Sequence, residues 1–348
     1  NTSGSNNVAT GYQALNANTT GGRNTAVGKG AMQANTTGAD NTGVGEGVLL
    51  ANTTGANNTA LGLGALAANT TASENTGVGV QALTTNTTGV RNTSVGYQSL
   101  YYNTTGGENT AVGQHALLSN TTGPHNTAVG FQALKTNTTG QQNTAVGQDS
   151  LFANTTGTYN VAMGKNAMAG NTTGGNCIGI GYHALVSQTT GDNNTVVGFT
   201  AGHDMSTGTD NVFMGVQAGY ANTTGQYNTA IGRDALKANT TANLNVAVGR
   251  HALLGCTTGS DNTGIGTYAL DSTTTGAANI AIGHGAISTS STASGQCTLG
   301  NGAISNLRCN DTSISSLSDS RDKTDVIDSP FGLDFINTVR PVQFLWDT

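Results

Sequence analysis

Residues Asn103–Gly123 read NTTGGENTAVGQHALLSNTTG, a phrase that returns with small changes along most of the chain. The glycine closing NTAVG stands at Gly11, Gly28 and Gly45 and then onward to Gly283 and Gly300, always 17 residues apart, through 18 copies without insertion or deletion. A flexible polar tract tolerates changes of length, whereas a coil stacked on its neighbour does not, so the fixed period argues for a repeat architecture. A 17-residue period is too short for helical-hairpin repeats, which run from about 33 residues upward. It suits one coil of an all-β, parallel β-solenoid, with two short strands and two turns per coil. Disorder is a poor reading despite the polar composition.

Counting each coil from the Asn of NTAVG, position 2 is mostly Thr, with Val8, Val161, Ile178 and Ile280 among the exceptions. Position 4 is almost always aliphatic, as in Val27, Leu61, Val112, Ile180 and Leu299. Residues two apart share a strand face, so positions 2 and 4 are expected to point into the coil, and the small residue at position 3 outward. Repeated Ala and Gly on an exposed face would imply a closely packed second surface, with a neighbouring chain as the candidate. Val196 and Phe213 depart from that rule. Apolar pairs at positions 8 and 9, such as Ala14-Leu15, Ala116-Leu117 and Ala252-Leu253, give the opposite wall of a thin core. NTTG follows as a tight turn, and its Asn and Thr are expected to align into ladders between coils. At about 4.8 Å per stacked strand, the coils would form a rod on the order of 85 Å long. Asn1–Asn6 already reads as the second half of a coil in register, so the rod is expected to continue upstream.

Charged residues make up 9% of the chain and the net charge is -6 with 12 Lys plus Arg, which leaves no basic field for nucleic acid or anionic lipid. No apolar run is long enough to span a membrane. The four cysteines make no disulfide framework or metal-ligand spacing. Cys177 and Cys256 each replace an Asn of the repeat and read as small fillers of ladder slots. No cofactor or metal is expected, and the histidines read as solvated surface.

Variation concentrates at positions 6, 7, 16 and 17. Aromatic rings recur at position 6 in Tyr12, Tyr97, Phe131, Tyr182 and Phe199. Such a row would suit stacking on sugar rings; the plainer reading is that the rings cover apolar patches beside the turn. Each NTT is also an Asn-x-Thr sequon, though its phase with the coil favours a structural ladder. The Thr pairs at positions 13 and 14 raise ice binding as a lesser reading, disfavoured because they flank a Gly turn instead of alternating along a strand.

The repeat resembles the β-roll head of trimeric autotransporter adhesins, with their xVAIG coil, over about residues 7–304. That resemblance implies a left-handed parallel roll assembled as a trimer, although the family's period is shorter. The repeat stops after Ile304, and residues 305–317 read as a connector. Residues 318–348 then bring mixed charge, two prolines and the only Trp. Their opening resembles the intramolecular chaperone of phage tail spikes and fibres, the peptidase S74 family, through Ser318, Asp319, Arg321 and Lys323. A second block, Gly332-Leu333-Asp334-Phe335-Ile336 followed by Val339-Arg340-Pro341-Val342, Phe344 and Trp346, carries the resemblance further.

The resemblance implies a module that helps three chains trimerise and then cuts itself free beside the Ser. Ser318 would be the nucleophile and Lys323 its base, with Asp319 and Arg321 in support; a weak hydroxyl nucleophile needs such a base. The chain ends at Thr348, before that module normally finishes, so only its start is expected here. The expected protein is therefore the homotrimeric shaft of a viral tail fibre or spike outside the cell. Its expected partner is a host cell-surface receptor, with glycans among the candidates. A bacterial trimeric surface adhesin is the alternative.

Overall fold

In the computed structural model, which describes residues 2–304, 18 strands of three residues recur once per coil, from β1 (Val8–Thr10) to β18 (Cys297–Leu299). Each strand pairs in parallel with the next along the chain, and paired residues are 17 apart, as in Val8↔Thr25 and Thr110↔Thr127. The chain is thus an all-β parallel solenoid that adds one strand to one sheet per coil.

The expected second strand is absent from these coils. The wall opposite the sheet is made of turns, because positions 7 and 9 are left-handed: His115 has φ 59° and Leu117 φ 50°. Position 17 is left-handed as well, for example Glu108 at φ 60°. Extended strand geometry cannot hold such residues, yet alternate N–H groups still reach the next coil. Leu117 N donates to Ala133 O at 3.0 Å and Ser119 N to Lys135 O at 3.0 Å. A left-handed leucine costs roughly 1–2 kcal/mol. Complete burial of Leu117 offsets this by about 1.5–3 kcal/mol.

The facing of the strand is the reverse of the sequence expectation. From β2 to β17 the middle residue is buried, while positions 2 and 4 are half-buried or exposed. Ala111 is fully buried beneath Thr110 and Val112. The reason is the depth of the coil. A Cβ placed on Gly77 would lie 3.4 Å from Leu66 Cδ1, and one on Gly43 would lie 2.9 Å from Val48 Cγ2. The gap between sheet and leucine wall is one methyl deep, which selects Ala and Gly. The small residue at position 3 is therefore packed by its own chain and is no sign of a neighbouring one. Val196 and Phe213 are also fully buried, and in their coils the position 9 leucine is replaced by Gly202 and Gly219.

Two buried asparagine ladders run beside this core. In the first, at position 1, Asn126 N donates to Asn109 Oδ1 at 2.9 Å. In the second, at position 12, Asn120 Nδ2 donates to Asn103 Oδ1 at 2.8 Å. The two ladders converge on one acceptor, since Asn109 Nδ2 and Asn120 Nδ2 both donate to Gly123 O, at 3.0 and 2.9 Å. Threonine adds a third column, with Thr121 Oγ1 donating to Thr138 O at 3.1 Å. A buried amide left unpaired costs about 1–3 kcal/mol, so each ladder is secure only while its neighbours are present.

The glycine column that sets the period has its own cause. Gly113 has φ 133°, and a Cβ there would lie 2.5 Å from Gly130 O in the next coil. Only glycine satisfies both conditions.

Candidate functional site

Ser318, Asp319, Arg321 and Lys323, the candidate autoproteolytic residues, lie outside the described residues, as do the connector 305–317 and the block ending at Trp346. Function within the described residues therefore has to be sought on the surface of the solenoid. Three features stand out there.

The first is an aromatic row. Tyr182 stacks on Phe199 at 5.3 Å and 11°, and on His183 at 4.1 Å and 22°. The row continues from His183 to His203 at 6.1 Å and from His203 to Tyr220 at 4.9 Å and 7°. Tyr182 and Phe199 of neighbouring coils each cover one face of the other, while Tyr12, Tyr97 and Phe131 at the same position are 70%, 46% and 43% exposed. Burial lowers the His183 pKa, and the positive charges of His203 and Lys165 lower it further. His115 is likewise lowered, by burial and then by Lys135. Both are half-buried, as are His203 and His251, so four of the six histidines are built into the surface instead of being freely solvated.

The second feature is a charge cluster on Asp234, whose side chain is only 8% exposed. Lys237 Nζ lies 3.0 Å from Oδ1, Arg233 Nε 3.3 Å and His251 Nε2 3.4 Å from Oδ2. Burial works to raise the Asp234 pKa, but the Lys237 hydrogen bond and the surrounding cations hold it below the usual carboxylate value. The sequence concealed this cluster and the aromatic row because the relevant spacings are 17 and 20. Asp234 lies over His251 at the first, and His183 and His203 meet at the second. Both spacings could be read once position 10 of one coil is known to lie over position 7 of the coil before, as Lys237 does over Gln217 at 2.7 Å.

The third is the outward strand face. Position 2 presents Thr in an unbroken column from Thr25 to Thr144, and position 4 presents Val, Leu, Ile or Met in every coil but the first. Leu61 is 47% exposed and Ile282 45%. In some coils charged side chains stand two residues outside one end of the strand and pair between coils. Arg23 Nη2 donates to Asp40 Oδ2 at 2.7 Å, Arg91 Nη1 lies 2.9 Å from Glu108, and Lys29 Nζ lies 3.1 Å from Glu46.

Among the described residues no group of three or more His, Cys, Asp or Glu side chains is placed to hold a metal ion, and no helix is long and apolar enough to cross a membrane. The buried thiols are chemically quiet. Burial pushes the Cys256 thiol up to about 11, and Cys177 is also raised by burial. Both fill ladder slots as expected. In the coil of Cys177 the companion slot carries the longer Gln188, whose Nε2 donates to Gly191 O at 2.8 Å and to Cys177 Sγ at 3.2 Å.

No protein-family model and no curated protein matches this chain. What the coordinates define is a class: a parallel β-solenoid of 17-residue coils with stacked asparagine ladders.

Proposed function

We propose that this chain is the shaft of a viral tail fibre or spike that works outside the cell in host attachment, assembled as a homotrimer and joined to the start of a self-cleaving chaperone. The observation that carries this reading is the sequence junction. An unbroken solenoid runs directly into a segment bearing Ser318, Asp319, Arg321 and Lys323 and, further on, Phe335 and Trp346. The resemblance of that segment to the chaperone family rests on those residues alone.

The solenoid suits mechanical work. Its coils are tied by main-chain bonds, two amide ladders and a threonine column, and a rod of this kind resists bending without a thick core. Its surface brings a host receptor, with glycans among the candidates, into reach through the variable turn positions. A bacterial trimeric surface adhesin is the second reading; it is favoured by the repeat and disfavoured by the tail.

The test is expression of residues 1–348 followed by a complete downstream chaperone module, with intact mass of the products. Two fragments divided beside Ser318, and a single uncut chain for Ser318→Ala and Lys323→Ala, are the expected result. An uncut wild-type chain of trimeric mass overturns the autoprotease while leaving the shaft.

A further inference from the structure

We infer that the outward strand face, positions 2 and 4 of successive coils, is the surface through which copies of this chain pack against each other, side by side and in the same direction. The inference deepens the homotrimer proposed above by naming its contact, and it replaces position 3, which the fold buries, as the source of that contact.

Four observations carry it. First, the face is continuous and uncharged: no Asp, Glu, Lys or Arg stands at position 2 or 4 in any of the 18 coils. Second, its apolar members are well exposed in the single chain, with Leu61 at 47%, Met163 at 40% and Leu299 at 52%. A three-residue strand about 10 Å wide, repeated at about 4.8 Å per coil, makes a strip of roughly 800 Å². A standard interface buries about 800 Å² on each partner. Third, the flanking positions 6 and 17 carry charged residues in some coils, such as Arg23, Lys29, Asp40, Glu46, Arg91 and Glu108, whereas positions 2 and 4 carry none. The Thr and Val side chains at its centre are β-branched and stiff, so little rotamer freedom is lost on contact.

The fourth observation selects the occupant. The face repeats once per coil for its whole length, through pairings that keep one register from β1 to β18. A partner with another repeat would drift out of phase along it, whereas a second copy meets it coil for coil; the threefold symmetry of the proposed trimer requires the copies to run the same way. In a trimer three such strips turn toward a common threefold axis, where their side chains can interlock.

The experiment uses the 348-residue chain. Light scattering gives the mass of the wild type and of a Val112→Lys/Val129→Lys/Val146→Lys variant, with circular dichroism checking that both are folded. These sites are half-buried or exposed, so a lysine head can stay in water without entering the core. The expected result is a trimeric wild type and a folded variant whose mass falls threefold. A folded variant that keeps the wild-type mass overturns the assigned face and leaves the trimer standing. A wild type that is monomeric at micromolar concentration overturns both. If that monomer shows thermal hysteresis which the lysine variant loses, the face belongs to ice.

A second measurement does not depend on the variant. Cys297 lies exposed at position 2 of β18, on the same face. In a Cys309→Ser background, a short bismaleimide, whose span exceeds the reach of a direct disulfide, should link Cys297 of one copy to Cys297 of another, giving a covalent dimer on a denaturing gel. Parallel packing brings these thiols together at one end of the rod, and antiparallel packing separates them by its length. Absence of the dimer overturns the parallel face-to-face arrangement.

Discussion

Phe213 and Gly219 fit one another: a Cβ on Gly219 would fall 2.4 Å from both Cδ2 and Cε2 of the Phe213 ring. Elsewhere the leucine wall supplies the bulk and the strand supplies Ala or Gly; in this coil the two exchange sizes. Both packings fill the same narrow space. Phe213→Ala should therefore cost about 3–5 kcal/mol, as expected for an emptied aromatic site. Gly219→Leu alone should also destabilise, by about 1–3 kcal/mol, through overpacking. The double variant rebuilds the ordinary coil and should recover most of the loss. Urea unfolding of the four proteins gives the coupling energy; additive losses would show that the two residues do not share a site.

The two glycine columns should respond differently to the same substitution. Gly113→Ala puts a side chain at φ 133° and 2.5 Å from Gly130 O, and it should cost several kcal/mol through strain and clash. Gly123 stands at position 15 without a positive φ; a Cβ there would lie 2.3 Å from Gly140 O and 2.8 Å from Asn120 Oδ1, yet Ala72 and Ala242 are accommodated at the same position in other coils. Gly123→Ala should therefore destabilise, but by less than Gly113→Ala, because it adds a clash without backbone strain. Thermal melting of the two variants side by side makes the comparison.

Cys256 interrupts the position 12 ladder, where its thiol donates only to Gly259 O at 3.1 Å. Cys256→Asn should restore the amide contact with Asn239 and stabilise by about 0.5–1.5 kcal/mol. The thiol also gives an alkaline signature. Its folded pKa of about 11 lies above the ordinary thiol value of 9.0, so its contribution is complete below pH 9 and is lost as pH rises toward 11. Wild-type stability should fall over that window more steeply than that of Cys256→Asn. Both buried cysteines should resist alkylation in the folded chain, while Cys297 reacts.

His183 has a pKa lowered by burial and then by His203 and Lys165. The neutral ring is the form the fold prefers, so this contribution is present above the ordinary histidine pKa of 6.5 and is lost as pH falls through the lowered value. Melting temperature should drop as pH falls from 6.5 toward the lowered value and level off below it. His183→Gln, which keeps an amide beside Asn166, should flatten the drop. An NMR titration should place the His183 midpoint below 6.5, and His203→Ala should move it upward.

The sequence by itself determined the architecture. A glycine every 17 residues, an Asn before most strands and another before most turns, and a large apolar residue in the wall can be satisfied together only by coils in strict register. The ladders were legible for the same reason: a polar residue that recurs in phase with a coil must meet its own copies. What the sequence could not decide was the side of the strand that faces inward. Alternation with a period of two separates Thr110 and Val112 from Ala111 but is blind to depth. The choice rests on the distance from the strand to a wall laid down in the coil before, eleven residues earlier, as Leu66 lies under Gly77 and Leu253 under Gly264. Because that wall reaches nearly to the sheet, only a methyl fits between them, and the bulkier aliphatic residues are turned to the surface. The aromatic row and the Asp234 cluster were decided in the same way, by which turn positions the stacking of coils sets over one another. One result of that packing is that the chain presents its largest apolar strip outward, where the letters of its core motif seemed to promise an interior.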